Sequence, residues 1–175
     1  MTLQSYVGAR ITREGRQALE STILQQSGQL RESSRVNGDR NARGCGCSTN
    51  ATMADDVTRQ HNTKRTLLRG LKQLKDEATV VDTPTSCEVL GIDLVGVFRL
   101  NALNADGSVS HTEPRVIHVV GYNEGDCEAV PQRLSYLAPL VAPFMGQRVG
   151  WSEDVTLRGV EYEMVLDEIT FPNTL

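Results

Sequence analysis

The sequence predicts an α+β protein, with an N-terminal antiparallel helical hairpin followed by a small antiparallel β domain that carries one short helix. Two observations support this class. The apolar residues change from helical spacing to strand alternation near residue 82, and the sign of the charge changes at nearly the same place. The predicted domains are therefore residues 1–82 and 83–175, with the polar stretch "DTPTS" at 82–86 as a short linker.

The net charge of −4 conceals an uneven distribution along the chain. Residues 1–75 contain thirteen Lys and Arg against six Asp and Glu, whereas residues 76–175 contain five against sixteen. The two parts thus carry net charges of +7 and −11. Such an asymmetry suggests two modules, and partners that use both signs of charge.

The first predicted helix begins at Thr12. Leu19, Ile23, Gln26 and Leu30 follow at steps of four and three, which is the spacing of one face of a helix. The face becomes polar after Leu30. We therefore expect a helix that packs against a partner near its start and is solvated further along.

A second helix is predicted where a similar pattern begins at Met53, and Thr49 or Asn50 could cap it. Its residues also recur at alternating steps of four and three, the spacing of a coiled-coil seam. They are Met53, Val57, Gln60, Lys64, Leu67, Leu71, Leu74 and Ala78. Joined by a Gly-rich connection at 44–49, two helices of this length form a hairpin about 45 Å long.

The residues after 86 read as strands. "VLGIDLVGVFRL" and "PRVIHVVGY" are rich in β-branched residues, and "NADGS" between them is a turn signal. "DVTLRGVEYEMVLDEI" alternates around Arg158-Gly159 and predicts a hairpin. Between these segments, "RLSYLAPLVAPFMGQRVG" predicts a short strand, one or two turns of helix begun near Pro139, and a loop.

Several function classes are disfavoured by the sequence. No apolar run approaches the roughly 18 residues of a membrane span, and the N-terminus lacks the layout of a secretion signal, so we expect a cytoplasmic chain without membrane contact. The four cysteines are expected to be thiols. Cys45 and Cys47 are too closely spaced for a usual zinc site, and His61 is roughly three turns away. Small residues that permit a tight turn are the preferred interpretation of "GCGC".

Three stretches carry a resemblance to a known family. "LSYLAPLVAPFMGQRVGW", residues 134–151, resembles "ISYLSPLGRALLGKKVGD" of the bacterial Gre transcript-cleavage factors. "ITREGRQALE" resembles the opening "MTxEGxxxLxxEL" of that family, and "VVD" at 80–82 resembles the end of its coil. The resemblance implies an N-terminal coiled coil that enters the secondary channel of bacterial RNA polymerase. It also implies an FKBP-like C-terminal domain that docks at the rim of that channel.

The resemblance also suggests which residues contact the polymerase. The docking residues would lie in the matching C-terminal segment, and they are Tyr136, Leu137, Pro139, Leu140 and Phe144. The hairpin tip would approach the polymerase active site with Gly46, Cys47, Ser48, Thr49, Asn50, Asp55 and Asp56.

The tip departs from the family pattern. The family reads Gly-Asp-Leu-x-Glu-Asn-Ala there, and its Asp and Glu are thought to help hold a catalytic Mg²⁺ ion of the polymerase. These acids fall on Gly46 and Thr49 of this chain, which carry no carboxylate. Asp55 and Asp56 follow nearly two turns later, about 10 Å along the second helix. They would replace the missing acids only if the tip were rebuilt around them.

A basic run extends from Thr58 to Lys75 without any acidic residue. Charge runs are usually solvated helix faces, but the lack of compensating Glu residues favours contact with nascent RNA or with acidic channel walls. The residues of this expected basic face are Arg59, Lys64, Arg65, Arg69 and Lys72.

These observations predict a polymerase-binding regulator of elongation, pausing or initiation, with weak or no stimulation of transcript cleavage. It would be a monomer without a cofactor of its own, and it would act through the polymerase active site and its Mg²⁺ rather than as an enzyme. One alternative is a true cleavage factor that uses Asp55 and Asp56. Others are an FKBP-like prolyl isomerase or chaperone, and a nucleic-acid-binding module that uses the basic helix alone.

Overall fold

The computed structural model describes residues 6–42, 50–104 and 106–174, and for 36–42, 50–55, 57 and 174 it describes the backbone alone. It contains both long helices and a sheet, so the predicted α+β class is confirmed. The elements in chain order are β1 (Arg10–Thr12), α1 (Arg13–Ala42), α2 (Asn50–Glu77), β2 (Thr79–Val81), β3 (Val95–Leu103), β4 (Val109–Val120), β5 (Gln132–Ser135), β6 (Ser152–Leu157) and β7 (Val160–Thr170).

The chain forms two compact units. The first comprises Met1–Ala9 and Arg16–Ala78, and the second comprises Arg10–Gly15 and Thr79–Leu175. The second unit includes a short parallel pair in which β1 and β2 are hydrogen-bonded, with Ile11 opposite Val80. The sequence did not predict this pair, because each strand has three residues and pairs with a segment far away in the chain.

The two helices have the lengths that the periodicity predicts, 30 residues for α1 and 28 for α2. On α1, Leu19, Ile23, Gln26 and Leu30 are half-buried, whereas Leu24 is 74% exposed. The predicted face of the first helix is therefore confirmed.

The predicted face of the second helix is wrong at Gln60, Lys64 and Leu67, which are all exposed. Leu68 is 8% exposed and Leu74 is 5% exposed, whereas Leu67 is 53% exposed. The two adjacent leucines at 67 and 68 are equally apolar, and the polar residues on their N-terminal side leave the register of the face unspecified. Leu71 is half-buried, as its place between Leu68 and Leu74 requires.

The second unit is built on a five-stranded sheet with the order β5-β4-β3-β7-β6. Strands β4, β3, β7 and β6 are antiparallel neighbours, but β5 joins β4 in parallel. The prediction of a wholly antiparallel sheet is therefore wrong at this edge. The predicted hairpin is present, and its two-residue turn places Arg158 and Gly159 at φ 52° and 81°, the left-handed conformation that tight hairpin turns require.

One face of the sheet carries the core of the second unit. Alternate residues of β3, including Phe98 and Leu100, are buried, and Ile117 and Met164 meet them from the neighbouring strands. Phe144 packs on Phe98 with ring centroids 5.1 Å apart and an interplanar angle of 80°, the edge-to-face arrangement that aromatic pairs prefer. Alternation along the strands thus places the apolar side chains on one face.

Two further local predictions need correction. Strand β3 begins at Val95, so the apolar residues Leu90 and Ile92 are buried in a non-strand segment. Asp93 interrupts the extended backbone there because its φ is 67°. The short helix does not begin near Pro139. It is a single 3₁₀ turn at Ala142–Phe144, after the buried Val141.

Candidate functional site

The helices of the first unit form an antiparallel pair, as their contacts indicate. Near the start of α1, Arg16 Nη1 donates to the Lys75 carbonyl oxygen at 2.6 Å, and Lys75 Nζ lies 3.9 Å from Glu20 Oε1. Further along, Ser34 Oγ lies 2.9 Å from His61 Nε2. The start of α1 is thus paired with the end of α2.

The tip residues fall mostly outside the described part of the chain. Gly46, Cys47, Ser48 and Thr49 lie outside the described residues, and Asn50 and Asp55 belong to the stretch of α2 whose backbone alone is described. Asp56 is exposed on α2, about 9 Å along the helix axis from Asn50. The predicted roles of these tip residues stay predictions.

The basic face has the solvent access that the sequence predicts. Its five members, Arg59, Lys64, Arg65, Arg69 and Lys72, are all exposed. Among the residues that the structure describes, none of the five side chains has an acidic partner within ion-pair distance. Arg65, Arg69 and Lys72 follow at i, i+4 and i+7 and therefore share one side of the helix. Their charges are available to an external partner.

Within the second unit, a carboxylate that the sequence analysis did not identify holds the first residues of α1. Thr12 Oγ1 accepts from the Gly15 N–H at 2.9 Å and so caps the helix. Glu124 accepts from the Thr12 N–H at 2.8 Å and from the Thr12 hydroxyl at 2.7 Å. Gly15 and Gly121 leave room for this carboxylate, since a Cβ on either would lie 2.1 or 2.3 Å from Glu124 Oε1. The helix start and the loop at 121–124 therefore depend on each other.

No local sequence signal identifies Glu124, because it lies 112 residues from Thr12. The only available indication was the Thr12-x-x-Gly15 spacing, which marks Thr12 as a cap but does not name its partner.

The predicted docking segment divides into exposed and buried residues. Leu137 is 55% exposed and Pro139 is exposed, whereas Tyr136 and Leu140 are half-buried and pack against the core cluster. The Tyr136 hydroxyl oxygen accepts from the Arg10 N–H at 3.2 Å. Phe144 is fully buried, so it can support a docking surface only from beneath.

A cavity of about 450 Å³ lies in the second unit. Its wall is mainly apolar, with Val81, Leu90, Ile92 and Met145, and Arg10 provides its one charged group. No aromatic side chain lines it. Aromatic side chains are frequent in the walls of ligand pockets, so this cavity gives no support to a proline-binding site.

A second polar cluster connects the linker to the sheet. Asp93 Oδ2 accepts from the Thr83 hydroxyl at 2.8 Å, and Asp93 Oδ1 lies 3.3 Å from His118 Nε2. No local sequence signal identifies this pair, because Asp93 and His118 are 25 residues apart. The Thr83 hydroxyl contacts Asp93 and not His118, so these contacts do not pair a nucleophile with a base, and the cluster is a structural connection.

Titration and metal binding give no further site in the described residues. The Ser108 hydroxyl and N–H donate to Asp106 and lower the pKa of that exposed carboxyl group, which lies in the β3–β4 turn. Among the described side chains, no group of three or more His, Cys, Asp and Glu is arranged to hold a metal ion. None of the described helices is long and apolar enough to cross a membrane.

Comparison with known proteins finds likeness only among solved structures. No family model and no curated protein matches the chain. It is similar to the transcription factor Gfh1, with 15% identity over 96% of this chain and 99% of that chain and a TM-score of 0.41. Gfh1 of Thermus aquaticus matches with 16% identity over 93% and 97% of the two chains, at a TM-score of 0.41. The elongation factor GreA/GreB from Nitrosomonas europaea matches with 15% identity over 93% and 98%, at 0.37. At these identities and TM-scores the likeness assigns neither a family nor a function to this chain.

Proposed function

We propose that this chain is a Gre-family regulator of bacterial RNA polymerase. Its helices 13–77 form a coiled-coil hairpin that inserts into the secondary channel, and its C-terminal unit is an FKBP-like domain that docks at the channel rim. It modulates elongation, pausing or initiation and stimulates transcript cleavage weakly or not at all. The chain is not itself an enzyme, and the only catalytic ion involved is the Mg²⁺ of the polymerase.

The observation that carries the proposal is the solvated antiparallel hairpin with a basic second helix. A helix of 30 residues is about 45 Å long. Only Leu68 and Leu74 are buried among the described side chains of α1 and α2, so most of the hairpin surface is free to contact channel walls. The exposed basic face suits nascent RNA or acidic protein surfaces, both of which are negatively charged.

The docking role rests on a different part of the chain. Leu137 and Pro139 are exposed, and they belong to the stretch 134–151 that resembles the family. The buried Phe144 and half-buried Leu140 hold this stretch against the core. An apolar surface supported in this way is typical of a preformed protein-binding site.

Weak cleavage follows from the chemistry of the tip. Stimulation of RNA hydrolysis requires a carboxylate that helps to hold the metal and its water, and neither Gly46 nor Thr49 provides one. The protein therefore occupies the channel without supplying the missing ligands. Obstruction or altered pausing is the expected consequence.

The test is transcript cleavage by stalled elongation complexes, with and without the full-length protein. We expect the wild type to change pausing or elongation and to leave the rate of cleavage nearly unchanged. The double change Gly46→Asp with Thr49→Glu should raise cleavage on the order of a hundredfold, since one well-placed electrostatic contact contributes about 3 kcal/mol. Gly46→Asn with Thr49→Gln is the matched control without charge, and it should not raise cleavage.

Asp55→Ala with Asp56→Ala tests the alternative of a rebuilt tip. Strong cleavage by the wild type that disappears in this variant would identify the two aspartates as the metal ligands. Strong cleavage that survives it would contradict the role of carboxylates altogether. No effect of the wild type on any step of transcription would contradict the proposed function itself.

A further inference from the structure

The sheet of the second unit has one face that the core does not cover. Opposite the buried side chains, Val97 pairs with Val116 across β3 and β4, and Val165 lies next to Arg99 across β7 and β3. The three valines are half-buried and Arg99 is exposed. This open face, defined by the outward side chains of β4, β3, β7 and β6, is therefore accessible to a partner.

The β6–β7 side of the open face is strongly acidic. Four acids of residues 152–170 lie on this face, namely Asp154, Glu161, Glu163 and Glu168, whereas Glu153 lies opposite the buried Met164 on the core face. Asp154 lies directly opposite Glu163, and Glu161 lies two residues further on the same face. Like charges directly opposite each other destabilise a strand pair, so this arrangement works against the stability of the isolated sheet. A bound cationic surface would relieve that repulsion.

A surface of opposite charge is present on α2. Residues 58–75 contain six Lys and Arg and no acidic residue. Arg65, Arg69 and Lys72 lie on one side of this helix and span about 10 Å along its axis. The five exposed bases of α2 have no acidic partner within ion-pair distance among the described residues, whereas Lys75 lies 3.9 Å from Glu20. On the open face Arg99 pairs with Asp167 at 3.0 Å, but Asp154, Glu161 and Glu168 have no basic partner within that distance among the described residues.

We infer that the basic face of α2 in one copy docks on the open acidic face of the sheet in a second copy. The contact joins two different surfaces, so it is a head-to-tail contact that each added copy can repeat. This contact covers the basic face that the proposed function assigns to nucleic acid or channel walls. Free protein would therefore bind less to non-specific polyanions. This differs from the monomer expected from the sequence, and it requires no polymerase.

The experiment measures the mass of the full-length protein by sedimentation equilibrium at about 0.02 M and about 0.5 M salt. At low salt we expect a mass well above the 19.2 kDa monomer, and at high salt we expect the monomer. A monomer at low salt would overturn the inference, and so would an association that salt leaves unchanged. Neither result depends on whether the protein regulates transcription.

Charge reversals identify the surfaces. Arg65→Glu with Arg69→Glu, and separately Asp154→Lys with Glu161→Lys, should each be monomeric at low salt. A mixture of the two variants should associate again, because the reversed helix of one meets the reversed sheet of the other. The control Glu88→Lys with Glu128→Lys changes exposed acids elsewhere in the second unit and the net charge by the same amount. Loss of association in this control, or a mixture that stays monomeric, would refute the contact.

Discussion

The helical hairpin and the sheet unit differ in where their stability comes from. In the sheet unit, eleven buried residues form one described core cluster around Phe98 and Phe144. Among the described side chains of α1 and α2, Leu68 and Leu74 alone are buried. Packing therefore constrains the sequence of the sheet unit, whereas most positions of the hairpin are at the surface and are not constrained by packing.

This difference has a physical basis. A helix satisfies its backbone hydrogen bonds within its own segment, so it can remain largely solvated once its ends are held. A strand needs at least one neighbouring strand for its backbone hydrogen bonds and an apolar face against a core. The hairpin can therefore keep an exposed charged surface and remain folded. In the sheet unit, substitutions in the core should lower the free energy of unfolding. Trp151, the only tryptophan, reports on the sheet unit by fluorescence, and helical circular dichroism reports mainly on the hairpin.

The largest effect is expected for Phe144→Ala. Removing this fully buried ring leaves a cavity against Phe98 and should lower the free energy of unfolding by about 3–5 kcal/mol. Urea unfolding followed by Trp151 fluorescence measures the change. Leu137→Ala, at 55% exposure in the same segment, is the control and should cost less than about 1 kcal/mol. Equal costs at the two positions would contradict the division of this segment into core and surface.

The hairpin should show the same contrast on a smaller scale. Leu74→Ala should destabilise it by about 2 kcal/mol, because Leu74 is 5% exposed. Leu67→Ala, at 53% exposure, should change the stability by less than about 0.5 kcal/mol. Thermal unfolding followed by circular dichroism compares the two variants. If Leu67→Ala were the more harmful, the face predicted from periodicity would be right and the observed register wrong.

The sequence was sufficient for features with a local signal. The two helices, their ends near residues 42 and 50, and the turn at Arg158-Gly159 all follow from spacing or from turn residues within a few positions. The exposure of the basic face was also predictable, because Lys and Arg side chains are seldom buried without a partner.

Features that depend on distant residues could not be predicted. The parallel pairings of β1 with β2 and of β4 with β5 each involve a strand of three or four residues, which is too short to carry a pattern of its own. Of the two adjacent leucines at 67 and 68, only contact with α1 decides which is buried. Glu124 reaches the start of α1 across 112 residues and has no motif around it. Within the docking segment, alternation did not distinguish the buried Phe144 from the exposed Leu137.

Loss of the hydrogen bonds between Thr12 and Glu124 should lower the free energy of unfolding by an intermediate amount. Thr12→Ala removes the cap acceptor of the Gly15 N–H and one donor to Glu124, and we expect a loss of about 1–2 kcal/mol. Both residues belong to the sheet unit, so Trp151 fluorescence during urea unfolding measures it. Thr12→Ser keeps the hydroxyl group and should recover most of the loss. Equal destabilisation by Ala and Ser would assign the effect to the lost methyl group instead.

The smallest change in the free energy of unfolding is expected on the basic face, and here the substitution should stabilise the protein. Arg65 and Arg69 are one turn apart on α2 and repel each other. Arg65→Glu should therefore turn a repulsive i,i+4 pair into an attractive one and stabilise the helix by about 0.3–0.5 kcal/mol. The same change should weaken the effect on transcription and flatten its salt dependence, because a contact with a negatively charged partner is lost. Arg65→Gln separates the two causes, since it removes the charge without reversing it and should lie between wild type and Glu in both measurements.

A variant that is more stable and less active would show that the hairpin surface is optimised for a partner rather than for its own fold. A variant that is more stable and fully active over the whole salt range would show that this run of bases is only a solvated helix face.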